Sequence, residues 1–178
     1  MLKRKDDKMH LIILGAGGYG RTVADVAGQT EEYSTILFLD DNSVAPDVAG
    51  KCAEFARFRG EQTAFYPAFG NNESRLAWLH RLQEAGCAVP AIIHPTAYVS
   101  PTAQVEPGAV ILPHAVVNTN CVVKSGCIVN CGAIVDHGCV LEEGVHICLG
   151  AIVKAENRIP RCMKIEAGEV VQNRAYPL

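Results

Sequence analysis

The chain lacks a dominant sign of charge. Sixteen Lys and Arg face 19 Asp and Glu, for a formal net charge of −3. No basic excess is available to neutralise a phosphate backbone, so nucleic acid is not an expected partner. No apolar run reaches the roughly 20 residues needed to cross a bilayer. No cleavable leader is evident, and the expected setting is cytoplasmic, with no membrane partner. The eight cysteines contain no CxxC pair. That weakens a zinc or redox reading and favours reduced thiols.

What is present is a six-residue beat. Ile93, Val99, Val105, Ile111, Val117, Val123, Val129, Val135, Leu141, Ile147, Val153, Ile159, Ile165 and Val171 are six apart and all aliphatic. Two positions before most of them stands a small residue, and three positions after many of them stands glycine. Such a period is the signature of a parallel β-helix. The aliphatic and small residues alternate along a strand and so face one side, into a narrow prism. The glycine falls where the chain turns a corner, since positive φ is least costly for glycine. Three hexapeptides make a coil, so residue n stacks on n+18. Cys121, Cys127 and Cys139 occupy the small inward position. Asn157, Met163 and Glu169 break it near the end, as expected of terminal coils that close a solenoid. The outward apolar residues Val110, Val116, Val122, Ile128 and Ile134 predict a partner surface. Closed cyclic symmetry would bury it, and the expected assembly is a homotrimer.

The first ninety residues have another character. Residues 1–8 are charged and expected to be disordered, with Met9 a second candidate start. From Met9 to Ile92 strands alternate with helices, the pattern of a small parallel sheet. Strands are expected at His10 to Leu14, Thr35 to Leu39, Gln62 to Phe69 and Ala88 to Ile93. Helices are expected at Arg21 to Gln29 and Glu73 to Ala85, with another over Val48 to Phe58. Between the first strand and helix lie Gly15, Gly17, Gly18, Tyr19 and Gly20, in G-x-G-x-x-G spacing. Asp40 and Asp41 follow about twenty residues on. Amides at a helix N-terminus cradle phosphate. NAD would need a second nucleotide half, and none follows. A half-fold can hold one nucleotide, such as the UDP of a nucleotide sugar. A glycine turn without a ligand is the third reading.

The order of these motifs carries a resemblance. The glycine loop, Leu39–Asp41, Phe69–Glu73, His94–Pro95 and then hexapeptides is similar to the NeuD/PglD-type bacterial sugar acyltransferases, from Met9 onward. The resemblance implies a Rossmann-like nucleotide-sugar-binding domain at 9–92 and a left-handed β-helix acyltransferase domain at 93–178. It also implies a homotrimer with acetyl-CoA between neighbouring solenoids, no metal, and transfer to an amine or hydroxyl of a UDP-linked amino sugar. By resemblance His137 is the general base, with Asp136 beside it in the chain. His146 and Gly150 would lie along the donor. Asn130, with Gly15 to Gly20, Asp40, Asp41 and Asn71, would hold the acceptor. His137 lies two past Val135, so it sits at a corner and projects outward. One departure stands out: the family's acid directly after the base is replaced by Gly138. Asp136 starts from the opposite side of the backbone. A zinc site of His114, His137 and His146, meeting between subunits, is a competing reading. The hexapeptide carbonic anhydrases use two histidines five apart, which this sequence lacks.

Overall fold

The structure is a computed structural model and describes residues 8–178. The charged head, apart from Lys8, lies outside the described residues. The chain divides into two compact units, residues 1–90 and 91–178. Among the described residues no helix is long and apolar enough to cross a membrane.

The first unit is a four-stranded parallel sheet with strand order β3-β2-β1-β4. β1 (Met9–Leu14) is central, between β2 (Tyr33–Leu39) and β4 (Thr63–Pro67), and β3 (Val48–Gly50) lies outside β2. A central parallel strand is covered on both faces, which is why Leu11 to Leu14 form an unbroken apolar run and are all buried. α1 (Gly18–Gln29) buries Val23, Val26 and Ala27. α2 (Asn72–Glu84) buries Leu76, Leu79 and Leu82. The spacing in each case is the three-to-four-residue repeat of one helix face.

Two expectations are corrected here. Val48 to Phe58 is not one helix. Its first three residues add the edge strand β3, and a 3₁₀ helix occupies Cys52–Phe58. The Val48–Ala49–Gly50 run is short and lacks a helix signal of its own, and pairing with Phe38 and Leu39 decides its state. Ala88 to Ile93 is not a strand of the first sheet. Ala88 makes one isolated bridge to Ala64, and Ile92–Ile93 pairs with Val110–Ile111 instead. Pro90 separates the two pairings and has no N–H to donate to a ladder.

The second unit is a left-handed parallel β-helix. Fourteen two-residue strands run from Ile92–Ile93 to Val170–Val171 and form three sheets of four, five and five strands. Each strand pairs in register with the strand 18 residues on, as Val122 with Val140 and Ile134 with Ile152. The inward aliphatic and small residues form one core from Ala109 to Val171, with Cys121, Cys127 and Cys139 among them. Each of the three thiols reaches a carbonyl of the following coil, that of Asp136, Glu142 and Lys154 respectively. None of the eight cysteines forms a disulfide.

Positive φ falls at residues 108, 114, 120 and every sixth position to 174. These are the corners. The terminal coil is closed by Asn157, fully buried in a small-residue position. Its amide donates to the carbonyls of Lys154 and Gln172, and its oxygen accepts the Tyr176 N–H at 2.8 Å. A buried amide is tolerable only when its groups are satisfied in this way.

The predicted apolar stripe is also corrected. Val110 and Ile128 share one sheet, Val116 and Ile134 another, and Val122 lies on the third. Six residues move the chain around the prism, while 18 move it along one face. Val110 and Ile128 are buried within a single chain. The exposed stripe runs instead through Tyr98, Val116, Ile134, Ile152 and Val170, in register on one sheet. Tyr98 is 53%, Ile134 37% and Val170 43% exposed.

Candidate active site

The solenoid carries two pairs of polar groups. The first follows the strand Ile134–Val135. His137 projects from the corner with its side chain 59% exposed. Asp136 Oδ1 lies 3.0 Å from His137 Nδ1 and accepts the His137 backbone N–H at 2.7 Å. Strict strand alternation would keep these side chains apart. The turn ends the alternation and brings them together. That backbone N–H, followed by the imidazole, holds the Asp136 carboxyl below its ordinary value. Gly138 turns the corner at φ +67°. A carboxylate on Nδ1 fixes the tautomer with Nδ1 protonated and leaves Nε2 as the basic nitrogen.

The second pair is Asn130 and His146. Asn130 follows Ile128–Val129, and His146 stands on the next strand of the same sheet, in register with Ile128. Asn130 Oδ1 accepts the Cys131 N–H at 2.8 Å, which orients the amide. Its Nδ2 then faces His146 Nε2 at 3.1 Å. Nδ2 can only donate, so Nε2 accepts. Gly150, near this pair, is a corner at φ +63°, stacked between Gly132 and Gly168. Side chains placed at these three glycines would meet nothing within 4 Å. The column is a bare, open edge.

One chain does not bring the two pairs together. His137 closes one side of the Tyr98–Val170 sheet, and Asn130 precedes the other side. His114 belongs to the glycine edge. Among the described residues no group of three His, Cys, Asp or Glu is placed to hold a metal ion.

In the first unit the loops after β1, β2 and β4 gather at the C-terminal ends of parallel strands, where ligands of such sheets bind. The glycines divide by role. Gly15 has φ +104°, and a Cβ there would lie 2.9 Å from the Ala68 carbonyl oxygen. A Cβ at Gly20 would fall 1.9 Å from the Gly15 oxygen. Both shape the turn. Gly17 and Gly18 face open space and are exposed. Tyr19 turns inward, its hydroxyl 2.7 Å from that of Tyr66, and burial raises its pKa well above the ordinary value.

Asp40 is already engaged. One oxygen accepts the Ala16 N–H at 2.7 Å, and the other accepts those of Asn42 and Ser43. The Ala16 amide leads the effects that lower its pKa. Asp41 Oδ1 accepts the Cys52 N–H. Asn71 caps α2 through the Ser74 N–H at 2.8 Å. These three residues therefore hold loops in place, whatever else they touch.

Sequence reasoning missed two groups. Arg21 stacks over Phe38, 4.2 Å from the ring centroid, and pairs with Asp47 beside the glycine loop. No spacing rule reaches that pair. Asn118 donates from Nδ2 to Asp136 Oδ1 at 3.4 Å. It lies 18 residues before Asp136, so the stacking rule was the available signal.

Known proteins agree with this architecture. The PglD N-terminal domain family matches residues 10–82. The acetyltransferase domain of PglB from Neisseria gonorrhoeae, solved in complex with acetyl coenzyme A, is 36% identical, with a TM-score of 0.90. That match covers 94% of this chain and 83% of that one. PerB from Caulobacter crescentus, solved in complex with CoA and GDP-perosamine, shares the fold at 19% identity and a TM-score of 0.74, covering 95% of this chain and 91% of its own. WeeI from Acinetobacter baumannii has the fold at 16% identity and a TM-score of 0.55, over 93% of this chain and 97% of its own. No curated protein matches the chain. On its identity to the PglB domain along nearly its whole length, the chain belongs to the NeuD/PglD-type family of sugar acetyltransferases.

Proposed function

We propose that the chain moves an acetyl group from acetyl-CoA to an amine or hydroxyl of a nucleotide-linked sugar, with His137 as general base. The observation that carries the assignment is the contact of His137 Nδ1 with Asp136 Oδ1 at 3.0 Å on an exposed corner. A neutral imidazole takes a proton efficiently near pH 7. As the acceptor attacks the thioester carbon, its proton passes to His137 Nε2. The new bond to carbon forms, the carbon–sulfur bond breaks, and the proton goes on to the departing thiolate. Asp136 keeps Nδ1 protonated and steadies the imidazolium. The Gly132–Gly150–Gly168 edge is the surface for the donor's extended arm, with the Asn130–His146 pair beside it.

The trimer is part of the same reading. The Tyr98–Val170 stripe separates the two polar pairs within one chain. Seating that stripe on a second copy would bury it and let one copy's His137 meet another's Asn130 and His146. Gly17 and Gly18 are the open amides for a diphosphate, and a UDP-linked amino sugar is the acceptor we favour.

The test is release of CoA from acetyl-CoA with a panel of UDP- and GDP-linked amino sugars. Turnover with one of them, lowered at least about a hundredfold by H137A, supports the reading. Binding of a nucleotide sugar with no turnover on any acceptor would replace it with a non-catalytic binding protein. A monomer by light scattering at micromolar concentration would remove the shared site.

A further inference from the structure

Asp136 does not stand alone on its face. Columns of the solenoid repeat every 18 residues, and this one reads Ser100, Asn118, Asp136, Lys154 and Gln172. Asn118 directly precedes Asp136 in the column, and its Nδ2 is 3.4 Å from Asp136 Oδ1. The orientation of that amide is set by its other end. Asn118 Oδ1 accepts the Thr119 N–H at 2.8 Å and the Thr119 hydroxyl at 3.2 Å. Oxygen must face Thr119, so nitrogen must face Asp136. Lys154, the next residue of the column, turns away and donates to Gln172 Oε1 at 2.6 Å. The inward thiols of Cys121 and Cys139 also lie near Asp136, and the His137 ring is its remaining titratable neighbour.

We propose that Asn118 is a positioning residue of the reaction, one that sets Asp136 and through it the tautomer of His137. This rests on the reading of His137 as base. Without the Asn118 donor, Oδ1 is held only by the His137 backbone N–H and ring, and the carboxylate is less firmly kept in line with Nδ1. A free imidazole prefers its proton on Nε2, and that tautomer offers no basic nitrogen to the acceptor. Asn118 touches neither substrate in this scheme. Its effect passes through one carboxylate oxygen.

Two variants separate this role from a structural one. N118A removes both ends of the amide. N118D keeps an acceptor for Thr119 and replaces the donor toward Asp136 with a second carboxylate oxygen, which repels it. Each is expected to lower kcat about three- to tenfold, the rate equivalent of one net hydrogen bond, with KM for both substrates unchanged. In a D136N background the same changes are expected to cost nothing further, because the path is already cut. Nitrogen-15 NMR of labelled protein, without substrate, reads the tautomer of His137 directly. Protonated Nδ1 is expected in wild type, with a shift toward protonated Nε2 in both variants. Equal losses in the two backgrounds, or an unmoved tautomer, would overturn the proposal and leave His137 as base. A wild-type rate in D136N would instead overturn the Asp136–His137 pairing, and this inference with it. Where no acceptor supports turnover, the NMR measurement decides alone.

Discussion

In the solenoid, every inward position recurs after six residues, and each coil rests on a near-copy of itself. In the first unit, each contact occurs once. The glycines show what that difference means. Five of the solenoid's corners are not glycine: His114, Asn120, Glu156, Cys162 and Arg174 adopt φ between +53° and +59°. The corner asks only for a backbone conformation, which other residues can adopt at a cost of about 1–2 kcal/mol. In the β1–α1 loop the demand is for space. The Gly15 oxygen sits where a Gly20 Cβ would be, 1.9 Å away, and no side chain fits. Repetition spreads a structural requirement over many equivalent sites, and a unique turn concentrates it in one atom.

The largest effect should come from an outward residue that the solenoid's repeat does not require. H137A is expected to lower kcat by about 10²- to 10⁴-fold, the usual contribution of positioned proton transfer. Melting temperature and oligomeric state should stay as in wild type, since the side chain is exposed. Steady-state CoA release and calorimetry check both. A variant with near-native kcat would break the assignment.

Next in size is a core deletion. Leu141 is fully buried in the prism, and L141A should destabilise the solenoid by about 2–5 kcal/mol. Denaturant unfolding followed by hydrogen exchange should confine the loss to residues 91–178. Loss of protection in β1 as well would show that the units do not unfold separately.

The glycine contrast itself gives a smaller and sharper test. G20A forces backbone to move and should cost about 1–3 kcal/mol or more, as overpacking does. G138A meets only Glu156 Cγ, at an ordinary 3.7 Å, and should cost about 1–2 kcal/mol for its positive φ. G17A should leave the fold untouched, since nothing lies within 4 Å, and should weaken nucleotide-sugar binding measured by calorimetry. If G17A binds as wild type, the loop amides are not the phosphate site.

The same difference decided what could be read from sequence. Val117, Val135 and Val153 announce the prism because a period survives any single exception. Its corners followed from the glycine phase. The exposed stripe did not, because Val110 and Val116 are neighbours in the beat but lie on different faces. Only the step of 18, from Tyr98 to Val116 to Ile134, stays on one face. Asp136 was misplaced by carrying strand alternation into a turn. In the first unit the apolar run of β1 and the glycine loop were legible. Val48–Gly50 was not, since its state depends on pairing with Phe38, a contact without local signal. Asp40 is legible as a candidate ligand-binding acid, but sequence shows only its carboxylate and not the three amides it accepts.

That last point yields the smallest predicted effect. Asp40 ties the glycine loop to the end of β2 through Ala16 N–H, and these amides lower its pKa. A group with a depressed folded pKa stabilises fully above its unfolded value, roughly 3.9. Its contribution fades as pH falls through the lower folded value. Protection of the Ala16 amide from hydrogen exchange, corrected for intrinsic rate, should therefore be flat above about pH 5 and decline only below roughly 3.9. D40N places an NH₂ group where one carboxylate oxygen was, so at least one loop amide then faces a donor. The variant should lose about 1 kcal/mol of local protection at neutral pH and lack the acid decline. If D40N instead keeps full protection but no longer binds a nucleotide sugar, Asp40 acts on the ligand and not on the loop. The first unit would then share with the solenoid a scaffold that stands without its functional carboxylate.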